Sequence, residues 1–112
     1  MIYKYYGCSS LFSVDIPSSV TDIWDFAFYG CISLTSIEIP NNVIRIGKNV
    51  FDNCCKLQEL HIRYEHPENI EIDEDAFDGL SECTLFVPIG TGYAYRHDER
   101  FKGKFKEVKI ER

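Results

Sequence analysis

The sequence predicts a β-rich solenoid, a superhelix of short stacked turns around a parallel sheet, and three observations predict it. One residue pattern returns at intervals of 23 residues. Its apolar positions alternate over short stretches, as a strand with one buried face requires. The final residues then abandon the pattern, as a segment that closes a repeat array must. Composition agrees with one folded domain: 112 residues, 45% hydrophobic, 14% aromatic and only 27% charged, which is too apolar for disorder and too short for two ordinary domains.

Three registers carry the repeat: 6–28 from Tyr6-Gly7-Cys8 to Phe28, 29–51 from Tyr29-Gly30-Cys31 to Phe51, and 52–77 from Asp52-Asn53-Cys54 to Phe77. In each, Cys is followed three residues on by Leu11, Leu34 or Leu57, and then by an apolar pair, Val14/Ile16, Ile37/Ile39 or Leu60/Ile62. This is the L-x-x-L-x-L signature of a leucine-rich repeat, in which alternate side chains of a short strand point into the core. Pro17 and Pro40 end the ladder because proline has no N–H to donate. Inward residues follow at Val20/Ile23 and Val43/Ile46, with Ile70/Ile72 in the third unit, and each unit closes on Ala27-Phe28, Val50-Phe51 or Ala76-Phe77.

The third unit has 26 residues, the excess falling around Arg63-Tyr64-Glu65-His66-Pro67. An insertion is expected to bulge from the surface, since an interior one would break the stacking of its neighbours. A partial fourth unit, 78–88, starts at Asp78-Gly79-Leu80, with Leu80 in the cysteine slot and a strand from Cys83 to Pro88. Residues 89–112 are expected to form the C-terminal cap: a short helix over Tyr93–Glu99, then a strand of alternating faces over Phe105–Ile110. Residues 1–5 form an N-terminal edge segment. It is β-prone and carries a single charge, Lys4, so either self-association through that edge or a further repeat upstream is expected.

The run from Ile16-Pro17 through Ala27-Phe28 to Cys31 is similar to the I-P-x-x-V-x-x-I-x-x-x-A-F-x-x-C phrasing of BspA-like leucine-rich repeats. The ending Cys83-Thr84-Leu85-Phe86-Val87-Pro88, with its Gly-rich turn and Tyr-bearing helix, resembles that family's C-terminal finish. The resemblance runs from about Tyr6 to Ile110 and implies a right-handed solenoid, found mostly in surface or secreted proteins, with roles in adhesion and protein binding. It implies no catalytic residues and no cofactor. Members of that family usually have more repeats and an export signal, whereas Met1–Ser10 has no apolar core of a signal peptide.

Net charge is −6, which leaves no basic footprint for nucleic acid. No run approaches the roughly 18 apolar residues of a membrane span, so membrane insertion is not expected. Partners are expected to be protein or surface glycan. The outward residues of the strands fall into two columns, Ser13, Ser36, Glu59, Thr84 and Asp15, Glu38, His61, Phe86, and these are the candidate binding face. An ordinary polar sheet face reads equally well. A purely structural terminal segment of a longer repeat protein is the alternative to a binding module.

Cys8, Cys31 and Cys54 recur once per unit and are read as a buried structural column, rungs about 4.8 Å apart. Parallel inward Cβ vectors do not favour a disulfide between rungs. Cys54-Cys55, His61, His66 and Cys83 lack zinc-ligand spacing. Asp73-Glu74-Asp75 lacks the spaced ligands of a calcium loop and is read as solvated surface, although it also suits the start of a short helical turn. His61, His66 and His97 stand apart from any nucleophile motif, and the acids line an outer edge and face no cleft. No enzyme activity is expected.

Overall fold

The computed structural model describes residues 2–3, as backbone only, and 10–111 in full. Two parallel sheets form the two walls of a solenoid. The larger contains β2 (Ser13–Val14), β4 (Ser36–Ile39), β6 (Glu59–Ile62), β8 (Thr84–Pro88) and β9 (Glu107–Glu111), in the order β2-β4-β6-β8-β9. The smaller contains β1 (Ile2–Tyr3), β3 (Asp22–Ile23), β5 (Arg45–Ile46) and β7 (Glu71–Ile72), in that order. The sequence pattern predicts the first sheet directly. The second was legible only as pairs of inward apolar residues, because two-residue strands are too short to show alternation.

The stacking is in register. Ser13 pairs with Ser36 and Val14 with Ile37; Ile37 pairs with Leu60 and Ile39 with Ile62; Leu60 pairs with Leu85. On the opposite wall Ile23 pairs with Ile46, and Ile46 with Ile72. The connections stack as well: Phe28 N–H donates to Val50 O at 2.9 Å, Gly30 N–H to Asp52 O at 3.0 Å, and Gln58 N–H to Thr35 O at 2.9 Å. A turn therefore meets its backbone hydrogen-bonding needs through the turns beside it, which a single turn could not do alone.

Between the walls lies one apolar interior. Leu34, Ile37, Leu60, Leu85, Val20, Val43 and Ile46 are all buried, each contributing about 1.5–3 kcal/mol by leaving water. Phe28 and Phe51 stack with centroids 5.7 Å apart and planes 4° off parallel. Phe77 packs on Phe101 of the cap at 5.0 Å, so the cap supplies the next ring of the phenylalanine file. Leu80 and Cys83 are buried in the slots held one turn earlier by Cys54 and Leu57. The residue before the cysteine slot takes a left-handed conformation in successive turns, with φ 75° at Gly30, 61° at Asn53 and 87° at Gly79. Glycine and asparagine hold that corner at least cost.

The cap departs from its expected form in two ways. Its helix, α1 (Gly92–His97), ends two residues sooner, with Asp98 extended at φ −79°, ψ 122°. Strand β9 starts at Glu107, and its alternation is weak: Val108 is half-buried while Ile110 is 37% exposed. An edge strand has a neighbour on one side only, so its inward face is less completely covered.

The insertion in the third unit forms a bulge, and the cap uses it. A single 3-10 turn, Pro67–Asn69, buries Pro67. Tyr95 Oη donates to Tyr64 O, and Arg100 donates to Ile70 O and Pro67 O at 2.6 Å each. Asp98 holds that guanidinium by a 2.9 Å and a 2.6 Å bond. The extra residues thus present backbone carbonyls to which the cap is fastened. The stretch after Asp73 closes as successive turns, Ala76 N–H to Asp73 O at 3.1 Å and Asp78 N–H to Asp75 O at 3.3 Å, and no helix forms there.

Candidate functional site

The strand register sets the outward columns of the larger sheet. Ser13, Ser36, Glu59 and Thr84 stand in one file, which Glu107 of β9 extends. Glu38, His61 and Phe86 stand in the other, extended by Lys109, while Asp15 follows β2 by one residue. Every sequence-predicted face residue therefore lies on or directly beside this sheet. Ser13, Asp15, Glu38 and Glu59 are exposed; Ser36, His61, Thr84 and Phe86 are half-buried.

Phe86 is not a bare apolar anchor. His61 stacks on its ring with centroids 4.5 Å apart and planes 6° off parallel. His61 Nε2 lies 2.9 Å from Glu59 Oε1, and Nδ1 meets Glu111. Arg63 contacts Glu111 and donates to Glu38 at 3.0 Å; these carboxylates, Glu38 first, raise its already high pKa. The middle of the face is thus a linked set of charges around a histidine. The exposed pair of Arg63 with Glu38 adds little stability, about 0–1 kcal/mol.

Toward the N-terminal ends of β6, β8 and β9 the face opens into a groove of about 580 Å³. Phe86 and Thr84 line it together with Lys56, Lys106 and Lys109 and two carboxylates, Glu59 and Glu82, so its charge is mixed with one lysine in excess. Lys109 Nζ lies 3.3 Å from Glu107, whereas Lys56 and Lys106 form no ion pair among the described residues. Sequence reasoning missed these lysines because two belong to the cap. Only the pairing of β9 with β8, Phe86 against Lys109, brings them to the sheet.

The cysteines follow the repeat. Cys8 lies outside the described residues; Cys31 and Cys54 are buried, and Cys55, next to Cys54, is exposed. Cys54 Sγ donates to Phe28 O at 3.1 Å. Burial, followed by the neighbouring Cys31, pushes its pKa up to about 12; burial, then Glu59, pushes Cys83 up to about 12 as well. Thiols so placed stay protonated and unreactive at neutral pH. Among the described residues no three His, Cys, Asp or Glu side chains converge as metal ligands would.

His66 is exposed and 3.4 Å from Glu68, and His97 stacks on Tyr93 at 4.0 Å. With His61 held by Glu59, Glu111 and Phe86, the histidines occupy separate surroundings. The acids from Glu65 to Glu82 are spread along the solvated turns, with Asp78 3.7 Å from Lys104. No helix of the described residues is long and apolar enough to cross a membrane.

Comparison with known proteins adds one finding. Neither a curated protein nor a solved structure matches the chain. Residues 2–103 match the profile described as "BspA type Leucine rich repeat region (6 copies)", a span that takes in every strand but β9, together with α1. The chain belongs to the BspA-type leucine-rich-repeat family.

Proposed function

We propose that this chain is a non-catalytic binding module whose partner is another protein, engaged through the outward face of the larger sheet. The observation that carries the reading is the groove at the N-terminal ends of β6, β8 and β9, with Phe86 on its floor and Lys56, Lys106 and Lys109 around it. A parallel sheet holds the backbone of these groups in place, which leaves only side-chain ordering as a cost, and an aromatic residue with charged rims is how a small number of residues supplies most of an interface's energy. The lysines suit a partner segment carrying carboxylates beside an apolar side chain. Adhesion at a cell surface is one setting in which such a module would serve.

Selection of peptides from a random library against the intact chain tests this. Peptides that bind the native chain and lose at least about tenfold in affinity, or about 1.4 kcal/mol, against a Phe86→Ala, Lys106→Glu, Lys109→Glu variant support the reading. Equal binding to both, or no selected peptide, overturns it.

A second reading has its own support. Among the described residues, strand β2 is the outermost strand of the larger sheet at its N-terminal side, and Phe12 beside it is 72% exposed. Such an edge offers unpaired backbone groups to another chain, and the partner we propose for it is a second copy. Light scattering that shows a monodisperse monomer at high concentration would rule this out.

A further inference from the structure

A groove of about 480 Å³ opens on the opposite wall, at the ends of β3 and β5, lined by Trp24, Asp25, Phe26, Arg45 and Gly47. Its back is closed by Asp25, which fills the space that a side chain at Gly47 would need. Trp24 and Gly47 occupy equivalent places 23 residues apart in successive turns, so the indole stands beside a bare backbone. That glycine admits no replacement: a Cβ on it would lie 2.3 Å from Asp25 Oδ1 and 2.5 Å from Asp25 N.

The groups around the gap are poised and incompletely used. Trp24 is 46% exposed, so part of its indole is open to a ligand. Asp25 Oδ1 accepts from Lys48 N–H at 3.0 Å, which fixes the carboxylate and leaves Oδ2 for another donor. Arg45 forms no ion pair among the described residues, although Asp22 and Glu71 flank it in register. Phe26 has φ 58° where the equivalent position one turn later holds Asn49 at φ 52°. Asparagine tolerates that conformation and a bulky side chain does not, so the phenylalanine is retained at a cost of about 1–3 kcal/mol. Strain of this kind concentrates at ligand sites.

We propose that this groove is a saccharide-binding site, with Trp24 as the stacking platform and Asp25 and Arg45 as its polar arms. The chemistry favours a neutral pyranose over an ion. The two charged residues that line the groove, Asp25 and Arg45, are of opposite sign, so an ion of either sign gains from one what it loses to the other. Sugar hydroxyls both donate and accept and satisfy the two together, while the C–H face of the ring covers the indole. The site is separate from the lysine-lined groove and independent of what binds there.

Trp24 is the only tryptophan in the chain, so its fluorescence reports the site directly. The intact chain would be titrated with glucose, galactose, mannose, N-acetylglucosamine and the β-linked trisaccharide of each. A saturable change in emission with at least one of them is expected, with a dissociation constant on the order of 1 mM or below. Asp25→Ala and Arg45→Ala should each weaken it at least tenfold while leaving the circular dichroism spectrum and melting profile of a folded chain. No saturable change across the panel overturns the proposal. So does binding that survives both substitutions, or a response to selected peptides and to no sugar.

Discussion

The two ends of the solenoid are built from different chemistry. At the C-terminal end the last rungs are covered by α1 and by Phe101 and Phe105, which pack on Phe77, and every core residue from Leu60 to Val87 has at most 2% of its surface exposed. The closing strand β9 carries Glu107, Lys109 and Glu111, charges that blunt an edge against further pairing. At the N-terminal end Val14 and Ile16 keep 8% and 9% exposure where their successors Ile37 and Ile39 keep 2% and 0%, and Leu11 is half-buried where Leu34 is fully enclosed. The difference teaches that, among the described residues, a repeat buries its interior rungs more completely than the rung at its end. Closure needs residues that the repeat does not contain.

The largest expected effect lies at the closed end. Tyr95 is fully buried, meets Phe101 edge-on at 4.9 Å and donates to Tyr64 O; Tyr95→Ala should cost about 3–5 kcal/mol in urea unfolding. A loss under about 1 kcal/mol would show that the cap does not close the core. Next comes a matched pair in the repeats: Leu34→Ala should cost about 3 kcal/mol and Leu11→Ala about 1 kcal/mol. Equal costs would erase the contrast between interior and terminal rungs. Arg100→Ala removes the charged bonds to Ile70 O and Pro67 O and should cost about 2 kcal/mol.

A smaller effect sharpens the same contrast through pH. Hydrogen bonds from Arg100 hold the Asp98 carboxyl below the usual carboxylate range. Because its folded pKa is depressed, Asp98 contributes stability at pH values above the ordinary range, and that contribution is lost as pH falls through the lowered folded value, below roughly pH 4. Acid titration of stability should show this loss in the native chain and not in Arg100→Ala. The smallest perturbation reads only access: at pH 8 a thiol-alkylating reagent should label Cys55 and spare Cys54 and Cys83 until the chain unfolds, checked by mass spectrometry of peptides. Ready labelling of Cys54 would mean that the interior rungs open as freely as the ends.

The sequence by itself determined the repeat, its length, which side chains face inward and the two outward columns of the larger sheet. Each of these follows from periodicity, and period is a local property: Leu34, Ile37 and Ile39 face inward because a strand alternates, and Leu57, Leu60 and Ile62 do so because the same phrase returns. The buried cysteine slot was legible for the same reason. Tertiary structure alone decided what meets across non-repeating stretches. Lys109 reaches Phe86 through the register of β9, His61 reaches Glu111 across an intervening strand, and the inserted turn at Tyr64–Ile70 offers its carbonyls to Tyr95 and Arg100. The groove beside Trp24 belongs to this second class, because Asp25 meets Gly47 only once one turn is laid on the next. Contacts of that kind are set by how far apart in space two segments come to rest, and nothing in the order of residues encodes that distance before the turns are stacked.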